Sequence, residues 1–327
     1  MNGPINVSVI VCTYNRSRIL GATIESIVAQ AFPQSLAWEI LVIDNNSTDE
    51  TRQVVDHFRC RYPERIRYLF EPLQGISYAR NTGVREARGE ILAFIDDDET
   101  ADADWLQNLT ANLHSGEWAG AGGPVLPRWN GPRPSWLAAD SPFTLGPLAA
   151  WQPDSGGTQL TAPPVGANMA YRKDAFDRYG GFRTDLGRVG LILLHGEDTE
   201  FGRRLMDAGQ RLCYEPSAII HHPVDDARAK KQYFVKWWFN KGRSDVREVG
   251  NHGNGISFLG SLLGLCRNIA VEAVRWTVAS SPSPRFICTL KICAYVGQGY
   301  ESYLLRFGVK RKGARRNASI RPPAGGQ

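Results

Sequence analysis

Short apolar, β-branched runs alternate with amphipathic stretches through residues 1–128, and this alternation restricts the fold more than any other property of the chain. Val7–Cys12, Glu39–Asp44, Arg65–Phe70 and Glu90–Asp96 read as strands. Segments 17–30, 77–88 and 103–115 read as helices, and Ser47-Thr48-Asp49-Glu50 is an S-x-x-E capping box predicted to open another through Val54, Val55 and Phe58. Strands separated by helices in this way build βαβ units. The expected class is α/β, Rossmann-like, with a mostly parallel sheet and helices on both faces.

In such sheets ligands bind in the crevice outside the carboxyl ends of the strands. Two predicted strands end there in carboxylates, Asp44 and the run Asp96-Asp97-Asp98-Glu99. Adjacent carboxylates repel one another, and the arrangement becomes favourable when a hard divalent cation is bound together with phosphate oxygens. The plain alternative is that Asp97, Asp98 and Glu99 cap and solvate a following helix. Asp44 can accept hydrogen bonds from a base or ribose hydroxyl, or serve as a turn residue leading into Asn45 and Asn46. Gly196-Glu197-Asp198-Thr199-Glu200 opens a predicted helix, where the macrodipole alone favours acids; facing the crevice, Asp198 can act as a general base. His221 and His222 close the apolar run Ala218-Ile219-Ile220, where an imidazole can complete a mixed carboxylate and histidine metal site. Arg80 can clamp a diphosphate or stand as an exposed helix charge. Neither G-x-G-x-x-G after the first strand nor G-x-x-x-x-G-K-[ST] occurs, which disfavours a dinucleotide oxidoreductase and a P-loop NTPase.

With 327 residues, 43% of them hydrophobic, the chain can bury one large or two modest cores. Its net charge of +5 is a property of the tail: Lys310, Arg311, Lys312, Arg315, Arg316 and Arg321 supply +6, leaving residues 1–309 at −1. No nucleic-acid partner is therefore expected. Six cysteines without a C-x-x-C pair, and an N-terminus without a basic segment or small-residue cleavage site, give the expectation of a reduced, cytoplasmic protein with no signal peptide. Residues 129–165 are Pro-rich and carry Trp129, Trp136 and Trp151, which can stack on sugar faces or pack an irregular lobe.

Segment 256–306 is apolar but interrupted, too short in either half for a spanning helix. On a helical projection Asn254, Ser257, Ser261, Arg267, Asn268, Glu272 and Arg275 share one face. Lys291, Gln298, Ser302 and Arg306 share a side of the next helix, with Glu301 off it. Two amphipathic helices and a basic tail suit an anionic membrane surface; packing on the core or on a dimer partner is the alternative.

Taken in order, VSVIVCTYNR (7–16), EILVIDNNSTDET (39–51), GISYARNTGVREARGEILAFIDDDE (75–99), GANMAYRKDAF (166–176), GGF (180–182), GEDTEFGRRLMDAG (196–209) and YEPSAIIHH (214–222) resemble the family 2 glycosyltransferases, inverting nucleotide-sugar enzymes of the GT-A fold. The resemblance covers about the first 225 residues. It implies that Thr13, Tyr14 and Asn15 line the nucleotide pocket, that Asp44 reads the base and that Arg80 lies near the uracil or diphosphate. The family's D-x-D motif maps Asp96 to the ribose and Asp98 to a Mg2+ or Mn2+ ion, with Asp97 at the variable place. Its ED motif maps onto Glu197 and Asp198, with Asp198 as base, and its strand-closing histidine aligns best with His222, with a one-position ambiguity from His221. A Q-x-x-R-W signature of processive synthases is missing.

The resulting expectation is a metal-dependent, inverting transferase that moves a single sugar from a nucleotide-sugar donor, a UDP-sugar first, to a glycan or lipid-linked acceptor. It would sit peripherally on the cytoplasmic face of the inner membrane. Residues 1–245 would form the GT-A domain (1–128 for the nucleotide, 129–245 for acceptor and catalysis), 246–309 the membrane-associated helices and 310–327 a basic disordered tail. Two rivals remain: a sugar-1-phosphate nucleotidyltransferase, expected to carry a Gly-rich loop after the first strand, and a catalytically silent sugar-nucleotide-binding or membrane scaffold protein, expected to lose the ED pair or the aspartate run.

Overall fold

The computed structural model describes residues 5–32, 36–137, 141–153, 158–190, 192–249 and 258–307. The chain runs through β1 (Val7–Thr13), α1 (Leu20–Val28), β2 (Trp38–Asp44), α2 (Thr51–Arg61), β3 (Ile66–Phe70), α3 (Ile76–Glu86) and β4 (Ile91–Asp96). It continues through β5 (Thr100–Ala101), α4 (Trp105–Thr110), β6 (Gly120–Gly122), β7 (Val125–Trp129), α5 (Pro142–Leu145), β8 (Asn168–Arg172), α6 (Lys173–Tyr179), α7 (Glu197–Asp207), β9 (Leu212–Tyr214) and β10 (Ile220–Val224). Three long helices follow, α8 (Lys231–Val249), α9 (Phe258–Val278) and α10 (Pro282–Phe307).

The main sheet has the order β3-β2-β1-β4-β8-β6-β9, and only β8 runs against its neighbours. Every residue of β2 is buried, because a strand covered on both faces needs apolar side chains at successive positions. Leu20, Ile24 and Ile27 of α1, Val55 and Phe58 of α2 and Leu106 and Leu109 of α4 pack on one face with Val7, Val9 and Val11. Ala79 of α3, Phe176 of α6 and Phe201 and Leu205 of α7 pack on the other with Ile10. Helices on both faces of a mostly parallel sheet are thus what the alternation dictated.

A second sheet, β5-β10-β7, is small but positions the site. Because β5 starts at Thr100, directly after Glu99, its pairing with β10 draws the strand-end acids and the histidine strand together.

Two local expectations change. Segment 103–115 divides into α4 and a 3-10 turn over Ala111–Ser115. The capping box does not form: α2 begins at Thr51 and Glu50 makes no side-chain cap. Ser47 Oγ instead accepts the Asn15 N–H at 2.9 Å, and Asp49 accepts the N–H groups of Ser17 and Thr51, both at 3.0 Å. Ser47 is taken by the neighbouring loop and does not cap the helix, whereas Asp49 serves both, accepting from Ser17 in that loop and from Thr51 at the start of α2.

The Pro-rich lobe joins the C-terminal helices through a third core of Leu137, Leu148, Val224, Phe234, Phe286 and Leu290. Trp136 meets Phe234 and Phe286 edge-on at centroid distances of 5.2 and 4.9 Å, so its role is packing. Helices α8 and α10 touch backbone to backbone: a Cβ on Gly242 would lie 1.9 Å from the Ala294 carbonyl oxygen, and one on Gly297 2.0 Å from that of Phe239. Glu301 is fully buried between them and accepts from Arg243 Nε at 2.8 Å and Arg247 Nε at 2.6 Å. Its displacement from the polar side of α10 therefore has a structural cause.

Helix α9 turns its acid inward: Glu272 is 4% exposed and accepts from Arg275 and from Lys291 of α10. Leu263, Val271, Val274 and Val278, spaced along one side of the helix, are 44–75% exposed. No helix among the described residues is long and apolar enough to cross a membrane. Asn254, Ser257 and the basic tail lie outside the described residues.

Candidate active site

Parallel register aligns the carboxyl ends of three adjacent strands. Thr13 pairs with Asp44 and Cys12 with Asp96, so Thr13, Asp44 and Asp96 share one sheet edge. The loop after β1 is latched to the loop after β2. Asn15, at a φ of 51° that asparagine tolerates better than most residues, accepts the Thr48 N–H at 2.7 Å. Tyr14 beside it is half-buried. Asp44 is buried, accepting from the Ser47 N–H at 2.9 Å and the Tyr68 hydroxyl at 2.7 Å. It thereby shapes the turn as well as standing at the strand edge.

Arg80 is neither an exposed helix charge nor free to clamp a ligand. It is 4% exposed, and its guanidinium donates to Glu197 Oε1 at 2.6 Å, Asp96 Oδ1 at 3.3 Å and the Gly166 carbonyl at 3.3 Å. The protein occupies it, so its position is that of a brace between the strand edge and α7. Gly166 is the hinge of this arrangement, because its N–H donates to Asp198 Oδ2 at 2.5 Å. A Cβ there would lie 2.4 Å from Arg80 Nη2 and 2.8 Å from Asp198 Oδ2. Glu197 and Asp198 occupy the first turn of α7, where unpaired N–H groups favour carboxylates. Burial, with the adjacent charge of Asp198, pushes the Glu197 pKa up to about 7 against the opposing pull of Arg80.

The third cluster lies where β4 meets β10. Ligand atoms of Asp98, Glu99 and His222 fall within 4.8 Å of one another. Alternation along β10 separates the two histidines: His222 is 2% exposed beside Asp98, whereas His221 Nε2 lies 2.9 Å from Asp102 Oδ1. Burial, reinforced by Arg228, lowers the His222 pKa to about 4, so the ring is neutral. Burial alone would raise the Asp98 pKa, but Arg228, His222 and Arg16 outweigh it and hold Asp98 below the ordinary carboxylate value. Asp97 moves the other way, up to about 7, through burial and the charge of Asp98.

These residues fit a divalent cation. Glu99 Oε1 is buried without a hydrogen-bond partner, which a closed structural network would not leave. Two carboxylates and a neutral imidazole form a donor set suited to Mn2+. Glu99, which the sequence offers either as part of the carboxylate run or as a capping acid, thus joins Asp98 and His222. Arg16, Arg188 and Arg228 are not marked by the sequence. The charge of Arg188 acts on Asp96, Asp98 and His195, while Arg228 donates to Asp98 Oδ2 at 2.6 Å. No local pattern marks them, since each reaches the site from a loop.

A family model described as Glycosyl transferase family 2 matches residues 8–180. Succinoglycan biosynthesis protein ExoM of Rhizobium meliloti is 31% identical over 277 residues, covering 83% of this chain and 85% of that protein. Glucosyl-dolichyl phosphate glucuronosyltransferase of Haloferax volcanii is 28% identical, covering 73% and 76%. Among solved structures, the mannosyltransferase PcManGT from Pyrobaculum calidifontis in complex with GDP-Man and Mn2+ superposes with a TM-score of 0.63 at 18% identity, covering 94% of this chain and 89% of that one.

Proposed function

Because the chain belongs to glycosyl transferase family 2 and is a glycosyltransferase of GT-A fold, we propose that it moves a single sugar, with inversion, from a nucleotide-sugar donor to a glycan or lipid-linked acceptor. The observation that carries this reading is one connected network. Asp198, fixed by Gly166, is linked through Glu197 and Arg80 to Asp96 at the strand edge, next to the Asp98, Glu99 and His222 cluster.

In this reading Thr13, Tyr14, Asn15 and Asp44 line the nucleotide side, while Asp96 and Asp97 face the ribose and diphosphate. Asp98, Glu99 and His222 would hold Mg2+ or Mn2+, which when bound offsets the charge gathering on the departing diphosphate. Asp198 accepts the proton of the acceptor hydroxyl as that oxygen attacks the anomeric carbon from the side opposite the leaving group. Glu197 and Arg80 hold the base in register with the donor. A UDP-sugar is the first donor to test, with GDP-mannose second because of the PcManGT complex.

We assign sugar transfer to residues 1–245 and positioning to 246–309. The exposed apolar stripe of α9, with Arg267 within it and Arg275 beside it, supports peripheral attachment to an anionic bilayer at its cytoplasmic face, and the dolichyl-linked substrate named for the Haloferax relative makes a lipid-linked acceptor the natural partner. Leu263→Glu with Val274→Glu should abolish flotation with phosphatidylglycerol vesicles; unchanged flotation rejects that attachment.

The transfer reading is tested by screening nucleotide sugars with lipid-linked and free glycan acceptors and assigning the anomeric configuration of the product by NMR. Inversion is expected. Retention of configuration, or transfer of a nucleotidyl group in place of a sugar, overturns the proposal.

A further inference from the structure

The seat formed by Asp98, Glu99 and His222 already holds a positive charge supplied by the chain itself. Arg228 donates from Nη2 to Asp98 Oδ2 at 2.6 Å and from Nη1 to His222 Nε2. Arg16 Nη1 reaches the same Asp98 oxygen at 3.3 Å. Arg228 is 17% exposed in its side chain and stands in a turn directly after β10, where its N–H donates to Asp225 Oδ1 at 2.7 Å.

Both acceptors of Arg228 are atoms that a divalent cation would need. An imidazole nitrogen offers one lone pair, so His222 Nε2 cannot accept from a guanidinium and ligate a metal at once. The guanidinium also leaves the seat incompletely used, since Glu99 Oε1 remains buried and unpartnered beside it. An arginine held there only for stability would be expected to close that network.

We propose that Arg228 is a placeholder in the cation seat, occupying it while the enzyme is free of donor and leaving it when metal and nucleotide load together. This inference rests on the reading of the cluster as the metal seat of a nucleotide-sugar enzyme. Its departure from Asp98 exchanges one cation for another, so the acids are never left bare, and the donor's diphosphate offers the released guanidinium a bidentate anionic partner. Metal and nucleotide are then thermodynamically coupled: each binds weakly alone and strengthens the other by the same factor, within the range of about 5–150-fold typical of such coupling.

The test measures Mn2+ binding to the full-length protein by electron paramagnetic resonance of the free ion, with and without UDP or GDP. Wild type should bind Mn2+ weakly alone and more tightly with nucleotide. Arg228→Met, which keeps the length and removes the charge, should bind Mn2+ alone about tenfold more tightly and lose most of the nucleotide-dependent gain. Arg228→Lys should stay near wild type without nucleotide, because an ammonium still holds the seat, and it carries the test if the Met variant does not fold. Should it bind Mn2+ alone as tightly as nucleotide-loaded wild type, the placeholder idea is overturned. Equal Mn2+ affinity for wild type and Arg228→Met, each melting normally, overturns the idea and leaves the metal seat intact. Wild type binding neither Mn2+ nor nucleotide in any combination overturns the seat itself, and the inference with it.

Discussion

Removing Glu197 should cost this protein more stability than a surface carboxylate would, and the amount can be worked from its surroundings. Arg80 and Glu197 are paired at 2.6 Å with side chains 5% and 8% exposed. Glu197→Ala leaves the guanidinium buried with Asp96 and the Gly166 carbonyl, both at 3.3 Å, and the Asp96 side chain is 41% exposed. Breaking one partner out of a buried pair costs about 3–5 kcal/mol. The residual contacts argue for the lower end, about 3 kcal/mol, or a folding constant reduced more than 100-fold at 1.4 kcal/mol per decade. At roughly 2 °C per kcal/mol for a domain of this size, the midpoint should fall by about 6 °C. The double variant Arg80→Met with Glu197→Leu, which leaves no bare charge, should recover most of the stability and none of the activity. Thermal unfolding at pH 8, where Glu197 is ionised, makes the comparison. A midpoint for Glu197→Ala within 1 °C of wild type, or a double variant less stable than both singles, would refute the reasoning.

Two further expectations concern the same network. Because folding raises the Glu197 pKa from 4.5 to about 7, the folded state binds the extra proton; the associated stability is complete below pH 4.5 and is lost as pH rises to about 7, a swing of roughly 3 kcal/mol that Glu197→Gln should flatten in urea titrations across that window. Gly166→Ala should lower kcat about 100-fold or more with little change in donor KM, since the added methyl displaces Asp198 and Arg80 away from the nucleotide edge; a kcat within threefold of wild type contradicts the hinge role.

How much of this was legible in the sequence follows from the range of the forces involved. Strands β1, β2 and β4 announce themselves because two-sided burial requires an unbroken apolar run, and their terminal acids Asp44 and Asp96 therefore fall on the ligand edge without further information. The two histidines illustrate the limit of a pattern. Alternation says that one of His221 and His222 points inward, but only the pairing of β10 with β5 and β7 selects His222. Ser47 and Glu50 matched a capping box, but a loop 32 residues away in sequence draws Ser47 to the Asn15 N–H, and Asp49 in place of Glu50 accepts the Thr51 N–H at the start of α2. Arg80, Arg228 and Glu99 acquired their roles through contacts of 117, 130 and three residues' separation, and only the last lies within reach of local reading. The helical periodicity of α9 pointed to a polar face and left open which way it turned; the burial of Glu272 against Lys291 shows that part of it faces inward.

Transfer by Asp198→Asn, measured alongside donor binding on the same preparation, tests the central claim most directly. The substitution preserves the size of the side chain and an oxygen able to accept the Gly166 N–H, while removing the basicity that the acceptor hydroxyl requires. The account predicts donor affinity within about threefold of wild type and a transfer rate lower by about 10²–10⁴, the usual contribution of a general base. A variant that binds donor normally and transfers sugar within tenfold of the wild-type rate would contradict it.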